Sequence, residues 1–184
     1  MKRTVLTFGL ISGAISMVLM TIILLLIDRI GFDTAEILGY TTLVLSFLLV
    51  FVGIKSYRDN VAGGTITFGK AFAVGLLITI VSCGFYVVTW EIMYFNLDFL
   101  SDFMDKYAAH IVEQAKASGS TPEAIQAQVK QMESFKKMFQ NPLFNAAMTF
   151  MEPFPVGLIM TLVSAGILRT RQRKPAVTAA NVVG

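Results

Sequence analysis

The sequence predicts an all-α integral membrane fold: a four-helix bundle with an extramembrane amphipathic helical hairpin between helices three and four. Three observations predict it. Hydrophobic residues make up 55% of the 184-residue chain against 15% charged, and mean hydropathy is +0.68, outside the range of soluble domains. Four apolar runs approach or exceed the roughly 20 residues that cross a 30 Å hydrocarbon core. The long stretch between the third and fourth runs carries its apolar residues at helical spacing instead.

The first span reads from Thr4 to Ile27, preceded by Lys2 and Arg3 and closed by Asp28 and Arg29. It is too long for a signal-peptide core and no small-x-small cleavage site follows, so it is expected to remain in the mature chain. The second, residues 37–54, is the shortest clean span and ends at Lys55-Ser56-Tyr57-Arg58. The third, 71–92, begins after Lys70 and ends among Trp90, Glu91 and Tyr94, rings suited to an interface. The fourth is irregular. Pro153 to Leu168 alone gives about 24 Å of helix, which is short, so the span is placed at 148–168 with Glu152, Pro153 and Pro155 at its outer end. Proline lacks a backbone donor, so a kink or helix start belongs there.

Between spans three and four, Leu100, Phe103, Met104, Tyr107, Ile111 and Ala115 form one stripe, with Asp102, Asp105, Lys106, Glu113 and Lys116 opposite. Thr121-Pro122-Glu123 then supplies an N-cap, a proline at the first helical position and an acid in the first turn. The second helix carries Ile125, Val129, Met132, the stem of Lys136 and Phe139, and stops at Asn141-Pro142. The hairpin therefore covers 97–140, its stripes facing each other or the bilayer surface. Residues 1–174 read as one membrane domain and 175–184 as a disordered tail.

Basic residues mark alternate ends of the spans: Lys2 and Arg3, then Lys55, Arg58 and Lys70, then Arg169, Arg171, Arg173 and Lys174. The first loop, Asp28 to Glu36, sets Arg29 against Asp28, Asp33 and Glu36. Under the positive-inside rule both termini are cytoplasmic and the hairpin is outside. A net charge of +3 spread over segment ends gives no stripe for nucleic acid, so no nucleic-acid partner is expected.

Gly64-Thr65-Ile66-Thr67-Phe68-Gly69-Lys70-Ala71 matches a phosphate-loop pattern, but Ala71 replaces the hydroxyl that binds magnesium and no strand precedes it. It reads as a cytoplasmic turn. Glu91 and Glu152 are the candidate functional intramembrane acids, because carboxylates in or beside a span are costly. If spans three and four are neighbours the two share a depth and can share a proton; otherwise each is solvated among headgroups or bonded to helix-end amides. Gly9, Gly13, Gly75 and Gly157 are candidate helix-packing positions, within one bundle or between two copies. Cys83 is the lone cysteine. His110, the lone histidine, has Glu113 three residues on but no third ligand, so no metal and no cofactor are expected.

The runs Tyr57-Arg58-Asp59-Asn60, Gly63-Gly64, Phe68-Gly69-Lys70-Ala71-Phe72, Trp90-Glu91 and Glu152-Pro153-x-Pro155-Val156-Gly157-Leu158-Ile159 resemble a family of uncharacterised Bacteroidota membrane proteins, domain of unknown function 4199. The likeness spans about residues 3–172. It implies a four-helix inner-membrane protein with no assigned reaction and transfers no catalytic residue. The expectation is a non-enzymatic protein whose outward hairpin contacts a partner or the membrane surface. The alternative is a small oligomeric transporter or channel with Glu91 and Glu152 in a proton or cation path.

Overall fold

A computed structural model describes residues 1–97 and 102–170, so Leu100, the basic run Arg171, Arg173 and Lys174, and the tail 175–184 lie outside the described residues. The described residues form seven helices and no strand: α1 (Lys2–Ile30), α2 (Phe32–Asn60), α3 (Phe68–Asn96), α4 (Phe103–Ala117), α5 (Pro122–Phe139), α6 (Pro142–Met151) and α7 (Pro153–Leu168). The protein is an all-α membrane bundle with four helical units long and apolar enough to span, the fourth being α6 and α7 together.

Each of the first three helices has 29 residues, about 43 Å at 1.5 Å per residue, the thickness of a bilayer with its headgroups. The loop read over Asp28 to Glu36 shrinks to one residue. Gly31, at φ 76° and ψ 161°, lies in a region essentially closed to other residues, and this lets α1 and α2 reverse direction with nothing between them. Thr67 Oγ1 accepts from Lys70 N at the start of α3, so the phosphate-loop-like segment serves as turn and cap.

Helix α3 is the central helix: it packs on α1, α2, α6 and α7, while α2 also packs on α1 and α7. Phe47, Val50, Ile54, Val74 and Ile78 fill the bundle axis with no more than 1% exposure. Small residues set the close approaches. A Cβ built on Gly9 would lie 2.7 Å from Val81 Cβ, and one on Gly13 2.9 Å from Phe85 Cβ, so α1 rests against α3 there. Gly75 faces Ile54 and Thr161, and Gly157 faces Thr79 and Phe47. All four glycines lie at contacts within the chain. Hydroxyls bridge the same surfaces: Ser82 Oγ donates to Ser12 Oγ (3.2 Å), and Ser12 Oγ to the Ser46 carbonyl (2.9 Å). Thr79 and Thr161 pair at 3.1 Å. In lipid such bonds hold helices whose apolar faces give no preference for protein over tails.

The outer surface is apolar where tails would lie, with Val18, Leu25, Ile37, Val88, Ile159 and Ile167 between 60 and 69% exposed. At the end carrying Lys2, Lys55, Lys70 and Arg169, Thr170 N donates to the Ile66 carbonyl (2.8 Å) and Ile66 N to Thr170 Oγ1 (3.2 Å). The amphipathic hairpin sits at the opposite end.

Candidate functional site

The helical unit that carries the fourth candidate span begins at Pro142, six residues before Met148. Asn141 Oδ1 accepts from Leu143 N (3.0 Å) and Phe144 N (3.3 Å), Pro142 occupies the first turn, and α6 starts there. Its ten residues place Glu152 about 15 Å along that helical unit from Pro142. The helix breaks at Glu152, because Pro153 brings no N–H to continue the ladder, and α7 starts anew.

The junction at Glu152 faces α3. Tyr86 Oη donates to Glu152 Oε2 at 3.5 Å, a long bond. One turn nearer the hairpin on the same face of α3, Trp90 Nε1 donates to Asn145 Oδ1 (2.9 Å). Asn145, fully buried, also accepts from Thr149 Oγ1 (3.1 Å) and donates to the Phe139 carbonyl (3.2 Å) at the end of α5. One amide thus fastens α3, α6 and α5 together.

Glu91 follows Trp90 by one residue and so points about 100° away from that face. Its Oε1 is buried with no hydrogen-bond partner among the described residues. Glu91 lines neither of the two cavities at this end, whereas Glu152 lines both.

Helix α4 does not stand free of the bundle. Phe32, the first residue of α2, stacks on His110 (centroids 5.0 Å) and meets Tyr107 (5.9 Å) and Phe103 (6.2 Å). Around this aromatic cluster, Lys106 Nζ pairs with Asp28 (2.9 Å), and Gln114 Nε2 (2.7 Å) and His110 Nε2 (3.2 Å) meet Asp33. His110 is therefore engaged by Asp33 across the fold and not by Glu113. Phe103 meets the Trp90 ring edge-on at 5.9 Å, and Phe139 of α5 meets Tyr94 at 5.4 Å. Lys136 of α5 pairs with Asp105 of α4. The stripe residues Phe103 and Tyr107, with His110 beside them, turn to the bundle, while Val129 and Met132 of the α5 stripe share a cleft with Ala108 and Val112, which lie outside the α4 stripe.

Beneath α4 lie two cavities of about 280 Å³ each, whose linings share Met20, Phe103, Tyr107 and Glu152. One runs between α1, α2 and α4 past Glu36, Gly39 and Tyr40; the other reaches Trp90, Phe135 and Phe139. The Tyr107 phenol is held above its usual range by burial first, then by the nearby Glu36 carboxylate and by Tyr40. Glu152, at the break in the fourth candidate span, is exposed and lines both cavities. That is the setting in which an intramembrane carboxylate is tolerated.

Sequence reasoning passed over Tyr86, Asn145, Glu36, Tyr40 and Tyr107 as site residues. Asn145 had a usable signal: a lone amide between Leu143-Phe144 and Ala146-Ala147-Met148 is as costly in lipid as an unpaired acid. Glu36 and Tyr40 had none, since their role depends on α4 folding back across α2.

A family model described as a protein of unknown function, DUF4199, matches residues 7–170. The chain belongs to the DUF4199 family. The DUF4199 match takes in all four spans, the hairpin and the vestibule. No curated protein and no solved structure matches the chain.

Proposed function

We propose that this DUF4199 protein is a non-enzymatic binding protein of the bacterial inner membrane. In this reading its outward hairpin is a cap over a ligand vestibule that ends on Glu152. The observation that carries it is the docking of α4 on the bundle through the Phe32 cluster and the Asp28 and Asp33 contacts, directly above two cavities that share Glu152 in their linings. The exposed Lys130 and Gln131 of α5 leave a polar surface on which a partner can dock. Basic residues at the end opposite the hairpin support cytoplasmic termini and an outward vestibule.

A transporter or channel using Glu91 and Glu152 draws support from the broken fourth span and its acid. Two observations weigh against it: the axis below Glu152 is filled by Phe47, Val50, Ile54, Val74 and Ile78, and Glu91 opens into neither cavity. A closed floor fits binding better than conduction.

The test is accessibility. In a Cys83→Ser chain, Glu152→Cys is reacted with a membrane-impermeant maleimide, with and without Asp28→Asn and Asp33→Asn. Exposed polar contacts contribute about 0–1 kcal/mol each, so removing both aspartates should raise the labelling rate about five- to tenfold if the cap gates entry. Equal rates in the two chains would defeat the reading.

A further inference from the structure

Resting on the cap reading, we infer that the vestibule is a binding site for an amphipathic organic cation, an alkylammonium whose charged head sits at Glu152 and whose apolar body fills the inner branch.

Glu152 lines two chemically different cavities, an outer branch against α2 and an inner branch against Trp90 of the central helix. The outer branch passes Glu36, Tyr40, Tyr107 and Phe32, and no lysine or arginine lines it. The one basic side chain in that lining, His110, is already engaged by Asp33. Glu36 falls in the second turn of α2 and Glu152 about 15 Å into the fourth span, so the entry path has an acid near its mouth and another at its floor. Aromatic faces between two carboxylates attract a desolvated cation and disfavour an anion. The inner branch is apolar, with Met104, Phe135, Phe139 and Met148 around the Trp90 ring. A small hydrated ion would leave that branch without a complementary occupant, and a neutral hydrocarbon would desolvate Glu152 without compensation. An amphiphile with one positive end satisfies both.

The wall also offers a means of closing the site without touching the fold. Gly39 lines the outer branch, and a Cβ built on it meets nothing within 4 Å. A large side chain there fills the cavity, not the core. Gly39 lies inside α2, where glycine is the weaker helix former, so the replacement does not weaken the helix.

The sole tryptophan, Trp90, lines the inner branch and reports on occupancy. The full chain in nanodiscs is titrated with dodecyltrimethylammonium while Trp90 fluorescence is followed; dodecyldimethylphosphine oxide, uncharged and of similar shape, is the comparison. The expected result is a saturable response to the cation alone, abolished by Gly39→Phe and weakened about tenfold or more by Glu152→Gln. Equal affinity for the phosphine oxide, indifference to Glu152→Gln, or a response that never saturates would overturn the inference. Nanodiscs of phosphatidylglycerol alone and with added phosphatidylethanolamine separate the sources. Competition by the added lipid assigns the site to an ammonium headgroup, and its absence to a free amphiphile. Maleimide labelling of Glu152→Cys keeps the two proposals apart. An accessible, cap-gated cysteine with no cation response defeats the ligand class and leaves the cap; an ungated cysteine defeats both.

Discussion

Replacing Asn145 by leucine should loosen the outer half of the bundle more than any other isosteric change there. The amide is fully buried and makes three hydrogen bonds, to Trp90 Nε1, Thr149 Oγ1 and the Phe139 carbonyl. Leucine keeps the volume and removes all three. Thr149 can turn its hydroxyl to the backbone carbonyl four residues back, so it recovers most of its loss. The Trp90 N–H and the Phe139 carbonyl cannot follow. Hydrogen bonds between membrane helices average about 0.6 kcal/mol, and a buried donor left unmatched costs about 1–3 kcal/mol, which together give a destabilisation of about 2–3 kcal/mol. Reversible unfolding in mixed micelles, followed by helical circular dichroism, measures it. A double-mutant cycle with Trp90→Phe should return a coupling of about 1 kcal/mol. A loss below about 0.5 kcal/mol, or zero coupling, would refute the idea that this amide ties the hairpin's return to the bundle.

Other consequences are sharper in sign than in size. Gly157→Leu drives a side chain into Phe47 Cε1, 2.9 Å from the glycine's Cβ position, and should cost about 1–3 kcal/mol, whereas Gly166→Leu meets nothing within 4 Å and should leave the melting temperature unchanged. Gly31→Ala, at φ 76° and ψ 161°, should cost about 1–3 kcal/mol in the same assay, with helix content retained. The raised Tyr107 phenol means that the fold favours its neutral form. Its contribution is therefore complete below the unfolded value of 10.0 and is lost as pH rises past it toward the folded value. Absorbance at 295 nm should show one late-titrating tyrosine fewer in Tyr107→Phe than in the native chain.

The spans were legible because a bilayer imposes a length and a composition that any charge-free apolar run displays, as Thr4 to Ile27 does. Their ends were not, because interfacial residues such as Asp28 and Asp33 are polar whether helical or looped, and only Gly31's backbone freedom decides the matter. The hairpin's two helices follow from periodicity and the Thr121-Pro122 cap. What the stripe of α4 would face did not follow, since packing on α5 and packing on Phe32 demand the same residue types. Glu152 stood out as a costly acid, yet its depth depended on Asn141 capping a new helix directly after the hairpin. Glu91 carried the same signal from sequence and opens into neither cavity, because one residue of helix turns it about 100° from the Trp90 face.

The central claim, that the hairpin lies closed over the bundle end, is tested most directly by joining Asp33→Cys to Gln114→Cys in a Cys83→Ser chain with a short bis-methanethiosulfonate spacer, which spans the two side chains' reach. In the native pair Gln114 Nε2 donates to Asp33 Oδ1 at 2.7 Å. Closure predicts that the spacer gives an intramolecular crosslink in high yield in membranes and slows maleimide labelling of residue 152 when a third cysteine is placed there and the crosslink is formed first. No crosslink, or one formed only between separate chains, would contradict it.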